Sequence, residues 1–136
     1  MAEATNFDVQ AILVKIGSKC SQKQGKFECK MWEGATSKNG TYGILRNPLQ
    51  KLPEQPQTIS VHRLVYLLYN VKDYPSYILP HFDDAGKTLH VSHLCHNTLC
   101  VNIDHLRLEL QSINNERESC YKQGHCIGLH RPPCLL

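Results

Sequence analysis

The residue types with the clearest chemistry cluster between positions 93 and 105. His93, Cys95, Cys100 and His105 all fall there, with Cys95 and Cys100 on either side of a four-residue loop and His105 five residues beyond. Thiolates and imidazoles at such spacing suit a tetrahedral zinc ion. Buried thiols beside satisfied core histidines would explain one such cysteine, but not a cluster this dense. Cys95, Cys100 and His105 leave one ligand to find, and Cys29 and Cys20 compete for it. His93 stands apart, because it closes an alternating run and is free for another task.

The flanking residues suggest how these groups are held. Leu89-His90-Val91-Ser92-His93 alternates as a strand does, and so does His105-Leu106-Arg107-Leu108-Glu109-Leu110. Ser112 is a suitable N-cap for a helix over 113–119, with Glu116 early in it. Strand, metal-binding loop, strand and helix form a compact module over 89–120. In it, His93 projects from the first strand toward Asn114 on the helix.

The run Ser92-His93-Leu94-Cys95-His96-Asn97-Thr98 with Cys100, His105, the Asn114-Asn115 pair and Cys120 resembles the zinc-binding region of the His-Cys box homing endonucleases. These belong to the wider ββα-metal (His-Me finger) nucleases. The resemblance covers about a third of the chain closely. It implies a DNA endonuclease that acts in the nucleus on double-stranded DNA and leaves 5′-phosphate and 3′-hydroxyl ends. His93 would be the general base, since an ordinary imidazole of pKa about 6.5 takes a proton from water at neutral pH. Asn114 would hold one catalytic Mg²⁺, with Mn²⁺ or Ca²⁺ as substitutes, because a hard ion keeps much of its hydration shell and needs few protein oxygens. The family's arginine near the scissile phosphate would be Arg46, with Arg63 as the alternative. Of the two candidate fourth ligands, the family's early-strand cysteine matches Cys29, giving a first structural zinc on Cys29, Cys95, Cys100 and His105. A second structural zinc would use Cys120, Cys126, His130 and Cys134, with His125 as a rival for the imidazole. Members of that family dimerise through a C-terminal tail that crosses to the partner. This sequence ends at Leu136, two residues after Cys134, so a homodimer would use another surface, such as Leu135, Leu136 and the apolar 64–68 segment, or the protein would act as a monomer.

The rest of the chain supplies scaffold. A first helix is expected over 5–17, capped by Thr5 with Asp8 at the third position and ended by Gly17. Cys20 follows in a polar loop over 18–26. Residues 26–32 and 41–46 alternate as strands around an Asn39-Gly40 hairpin signal. Lys30, Lys38, Arg46 and Lys51, interleaved with Trp32 and Tyr42, would give a sheet over 26–51 a basic face for a DNA groove. A solvated sheet surface reads equally well from that segment alone. Prolines 48, 53 and 56 make 47–57 a loop, and 58–70 reads as a strand running into an apolar helix. His62 and Arg63 on that helix would orient and support the site. Residues 73–85 form an irregular connection, in which Asp83-Asp84 reads as a solvated turn.

Composition sets the outer bounds. The 136 residues, 41% hydrophobic and 20% charged, describe one α+β domain over 1–136 with a thin core, having only three Phe and one Trp. Zinc would strengthen such a core, because the free energy of metal binding is folding free energy. The C-terminal zinc site would span 120–134. A net charge of +3 is compatible with phosphate binding without specifying it. Seven cysteines is an odd number, unlike a secreted disulfide scaffold. A polar Met1-to-Asn6 start and the lack of a membrane-length apolar run point to an intracellular protein with reduced thiols. Two other functions fit the same residues: a nuclease for RNA or for DNA without sequence preference, and a non-catalytic zinc-stabilised DNA-binding module.

Overall fold

The computed structural model describes residues 8–23, 28–126 and 132–135. Among these residues the fold is a small α+β arrangement with three α-helices and three two-stranded antiparallel sheets. Helix α1 (Val9–Gly17) leads into β1 (Cys20–Lys23) and β2 (Cys29–Trp32); β3 (Ile44–Arg46) and β4 (Thr58–Ser60) precede α2 (Val61–Tyr69). Strand β5 (Leu89–His93), a 3-10 turn over Ile103–His105, β6 (Leu106–Leu110) and α3 (Gln111–Gln123) complete it. None of the described helices is long and apolar enough to cross a membrane.

The core is built on α2. Val61, Leu64, Val65, Leu67 and Leu68 are all buried, and they pack with Ile16, Trp32, Leu49, Leu79, Val91, Val101 and Leu106. The 64–68 segment is therefore core, not a surface through which a second copy could dock. Its apolar side chains are already spent on α1, β5 and β6.

Three local expectations are corrected. Asp8, rather than Thr5, caps the described helix α1: its carboxylate accepts from the Ala11 amide at 3.0 Å, and Thr5 lies outside the described residues. Ser112 is not the cap of α3. The helix starts at Gln111, with Leu110 in the cap position and no side-chain cap bond, because β6 feeds straight into it and the Gln111 amide bonds the Thr88 carbonyl at 2.9 Å. Within the expected polar loop 18–26, Cys20–Lys23 is strand, paired with β2 in the register Cys20↔Trp32 to Lys23↔Cys29.

That last pairing changes the basic sheet expected over 26–51. Strand β2 pairs with β1 and not with β3, whose partner is β4. The Asn39-Gly40 turn forms, with Gly40 at φ +72° and the Asn39 side-chain Oδ1 accepting from the Thr41 amide. Beyond it the two arms meet only at the Thr36↔Gly43 bridge. The reason is the Trp32 indole, which is 3% exposed and fills the space between the arms. A Cβ at either Gly34 or Gly43 would enter that ring. Gly43→Ala should therefore overpack the site and lower stability by about 1–3 kcal/mol, read as a lower midpoint in thermal or urea denaturation. An unchanged midpoint would show that Trp32 can shift at little cost.

Candidate active site and zinc centres

The first cluster is assembled from three parts of the chain. Cys29 opens β2. The loop carrying Cys95 and Cys100 is laid along β2 by a Met31↔Cys100 bridge and by bonds from Trp32 N to Leu99 O (2.9 Å) and Val101 N to Lys30 O (2.8 Å). His105 ends the 3-10 turn, which Asn102 caps through the Asp104 amide at 3.0 Å while its amide nitrogen reaches Glu28 O at 2.9 Å. One ligand atom from each of Cys29, Cys95, Cys100 and His105 lies within 4.8 Å of the others. His105 Nδ1 is 3.7 Å from Cys29 Sγ and 3.4 Å from Cys100 Sγ. A tetrahedral zinc with bonds of about 2.3 Å to sulfur and 2.0 Å to nitrogen sets that separation at about 3.5 Å, so the residues fit the ion. Cys20 is not in the group; its thiol donates to Ile16 O at 3.2 Å.

The thiols themselves call for a cation. A hydrogen bond from Cys95, helped by backbone groups at Asn102 and Lys30, pushes Cys100 down to about 5. The same bond, with burial, raises Cys95. A dication bound between two such neighbouring sulfurs would let both ionise.

The second cluster brings together Cys120, Cys126 and Cys134, again with ligand atoms within 4.8 Å of one another. His125 does not join it: its Nδ1 lies 3.3 Å from Gln123 O. His130 lies outside the described residues. Three thiols can hold zinc with one further ligand, so the two clusters together could hold two zinc ions.

A buried ion pair ties this second cluster to β6. Arg117, 1% exposed, makes two bonds to Glu109, through Nε to Oε2 and through Nη2 to Oε1 at 2.9 Å. Its Nη1 donates to Cys134 Sγ at 3.6 Å. Arg117→Met should cost about 3–5 kcal/mol, because it leaves the Glu109 carboxylate buried without its partner. The double variant Glu109→Leu/Arg117→Met should recover much of that loss. Denaturation of the three proteins checks both, and equal stability of wild type and the single variant would contradict it.

Between β5 and α3 lies a hollow of about 260 Å³ lined by Tyr42, Val91, His93, His96, Thr98, Asn114, Glu118, Tyr121 and Lys122. The β5–β6 register runs from Leu89↔Leu110 to His93↔Leu106, which puts His93 at the end of its strand, and α3 packs on both strands. His93 is 8% exposed, and its Nε2 is buried without a hydrogen-bond partner. Burial holds its pKa down at about 4, opposed by a backbone hydrogen bond at Cys100. This departs from the ordinary value assumed from sequence. The ring stays neutral throughout the physiological range and is less basic than a solvated imidazole.

His62 packs on His93 with ring centroids 4.5 Å apart, and Tyr42 stacks on His62 at 5.3 Å. Burial, then the neighbouring His93 and Arg63, keep His62 well below the usual histidine range. The sequence reading did not single out Glu118, Tyr121 or Lys122 for this wall. Their spacing from Asn114 by four, seven and eight residues on one helix was the available signal.

The cations expected to bind DNA are spread out. Arg46 does not line the hollow holding His93; it lines another of about 350 Å³, with Lys15, Lys19 and Trp32. Arg63 is half-buried in a third, beside Glu54, Tyr77 and His81. Lys30 sits in the β1–β2 sheet and lines a hollow with Leu13 and Val101. Lys38 and Lys51 are exposed in the turns on either side of β3. The four residues do not share one sheet.

A family described as the zinc-binding loop region of homing endonuclease matches residues 19–136. No curated protein matches the chain.

Proposed function

Because the chain belongs to the family of homing-endonuclease zinc-binding loop regions, we propose that it is a Mg²⁺-dependent DNA endonuclease of homing type. The observation that carries this reading is that His93 and Asn114 line one hollow between β5 and α3. The two clusters that could hold zinc draw ligands from the loop that follows His93 and from the helix that bears Asn114.

In the proposed reaction, the free Nε2 of neutral His93 accepts a proton from the attacking water. The water oxygen bonds to phosphorus, the P–O3′ bond breaks, and the departing 3′ oxygen takes a proton from solvent. The products are a 5′-phosphate and a 3′-hydroxyl. The amide oxygen of Asn114 would hold Mg²⁺, which supplies positive charge for the phosphoryl oxygens and the leaving group. His62, packed at a tilt against His93, keeps that ring in its orientation. Arg46, Lys30, Lys38 and Lys51, which lie on separate elements, would meet DNA phosphates singly rather than as one basic sheet, and such cations add affinity without sequence information. Thiols that serve as zinc ligands need a reducing compartment, which supports an intracellular and, for a DNA substrate, nuclear site of action.

The test is the chemistry of the ends. DNA cut in Mg²⁺ should be religated by DNA ligase without prior kinase treatment. Ends that need a kinase, or that carry a 3′-phosphate, would overturn the proposed direction of cleavage. Cutting of random DNA or RNA as fast as of a selected site would favour the non-specific nuclease.

A further inference from the structure

We propose that Glu118 provides a second oxygen ligand for the divalent cation at Asn114, so that the protein binds this cation before any nucleic acid arrives. The inference rests on the reading of Asn114 given above. Asn114 and Glu118 are one helical turn apart on α3, which sets their Cβ atoms about 5–6 Å apart. Both line the hollow that holds His93. Glu118 is exposed, and among the described residues Arg117–Glu109 is the only ion pair within 4 Å. The Glu118 carboxylate therefore stands at the hollow without a cation, although Lys122 lies on the same wall. Its place in the middle of α3 (Gln111–Gln123) also removes any capping role.

The chemistry favours a shared ion. Magnesium and manganese ions prefer charged oxygens, and one neutral amide holds them weakly unless phosphates help. A carboxylate one turn away changes this, because it adds a full negative charge and leaves room for several waters. The remaining wall, with Thr98, His96 and Tyr121, is polar enough to accept those waters. Nucleic acid would then meet a site already charged with its cation.

Mn²⁺ titrated into zinc-loaded, DNA-free protein tests this, with bound ion followed by water-proton relaxation. Wild type should bind one Mn²⁺ per chain. Glu118→Gln should weaken binding at least tenfold, as should Asn114→Ala, while zinc content stays unchanged. No Mn²⁺ binding by wild type at millimolar concentration, or equal binding by Glu118→Gln, overturns the proposal. The nuclease reading is separable. Binding that depends on Glu118 in a protein that cuts no DNA would leave this site standing and refute the nuclease. DNA cleavage lost in His93→Ala, with Mn²⁺ binding indifferent to Glu118, would do the reverse.

Discussion

Stripping zinc from the protein should unfold it. Apparent binding free energies for structural zinc are on the order of 10–16 kcal/mol, against a net stability of about 5–15 kcal/mol for a typical domain. Loss of either ion is enough to remove the margin. The architecture makes the first site especially costly. Among the described residues every sheet has two strands, and a two-stranded hairpin is marginal in water. The Cys29, Cys95, Cys100 and His105 cluster joins β2, the 95–100 loop and the 3-10 turn before β6. Without the ion, Cys29 and Cys100 are sulfurs buried beside an imidazole, and only the Met31↔Cys100 bridge and a few hydrogen bonds join the three segments. A strong chelator, or Cys100→Ser, should abolish the cooperative thermal transition and much of the helical circular dichroism. Elemental analysis of the untreated protein should find two zinc ions per chain. A zinc-free protein with an intact transition would refute the structural role.

Replacing His93 by Ala should lower the cleavage rate by about 10²–10⁴-fold, the usual contribution of a positioned general base. Zinc content and DNA affinity should hardly change, because His93 is not a member of the first cluster and also lines the hollow beside α3. Added imidazole should restore part of the rate by entering the space the ring vacates. Wild-type activity in the variant would remove His93 from the mechanism. Loss of zinc along with activity would show that His93 supports the cluster instead.

Local spacing made the first cluster legible, since three of its four ligands sit within one loop-and-turn segment. Choosing Cys29 over Cys20 was harder, because it depends on which face of β2 meets the 95–100 loop. The family resemblance favoured Cys29, and the Met31↔Cys100 bridge supplies the physical reason. The β5–β6–α3 module was readable from two alternating runs and a polar helix. The start of α3 was misread, because Ser112 is an adequate cap in isolation while the strand runs on without a break. Strand β1 was read as loop because Cys20-Ser21-Gln22-Lys23 carries no apolar alternation; its partner β2 makes it a strand. The basic sheet failed for a related reason: a bulky indole between two glycines separates the arms that Asn39-Gly40 would otherwise pair. Glu109 and Arg117 look like solvated charges in an alternating strand and a polar helix. Their burial against the Cys134 sulfur follows from tertiary packing, which no local pattern records. The 64–68 run read as a possible dimer surface for the complementary reason, since apolarity alone does not tell core from interface.

The most direct measurement is cleavage of supercoiled plasmid by zinc-loaded protein in Mg²⁺, run beside His93→Ala and beside a reaction in EDTA. Wild type in Mg²⁺ should give nicked or linear DNA, and the other two reactions almost none. Cutting that persists in EDTA or in His93→Ala would contradict the proposed site. No cutting of any DNA by a protein carrying both zinc ions would contradict the nuclease itself and leave a zinc-stabilised DNA-binding module.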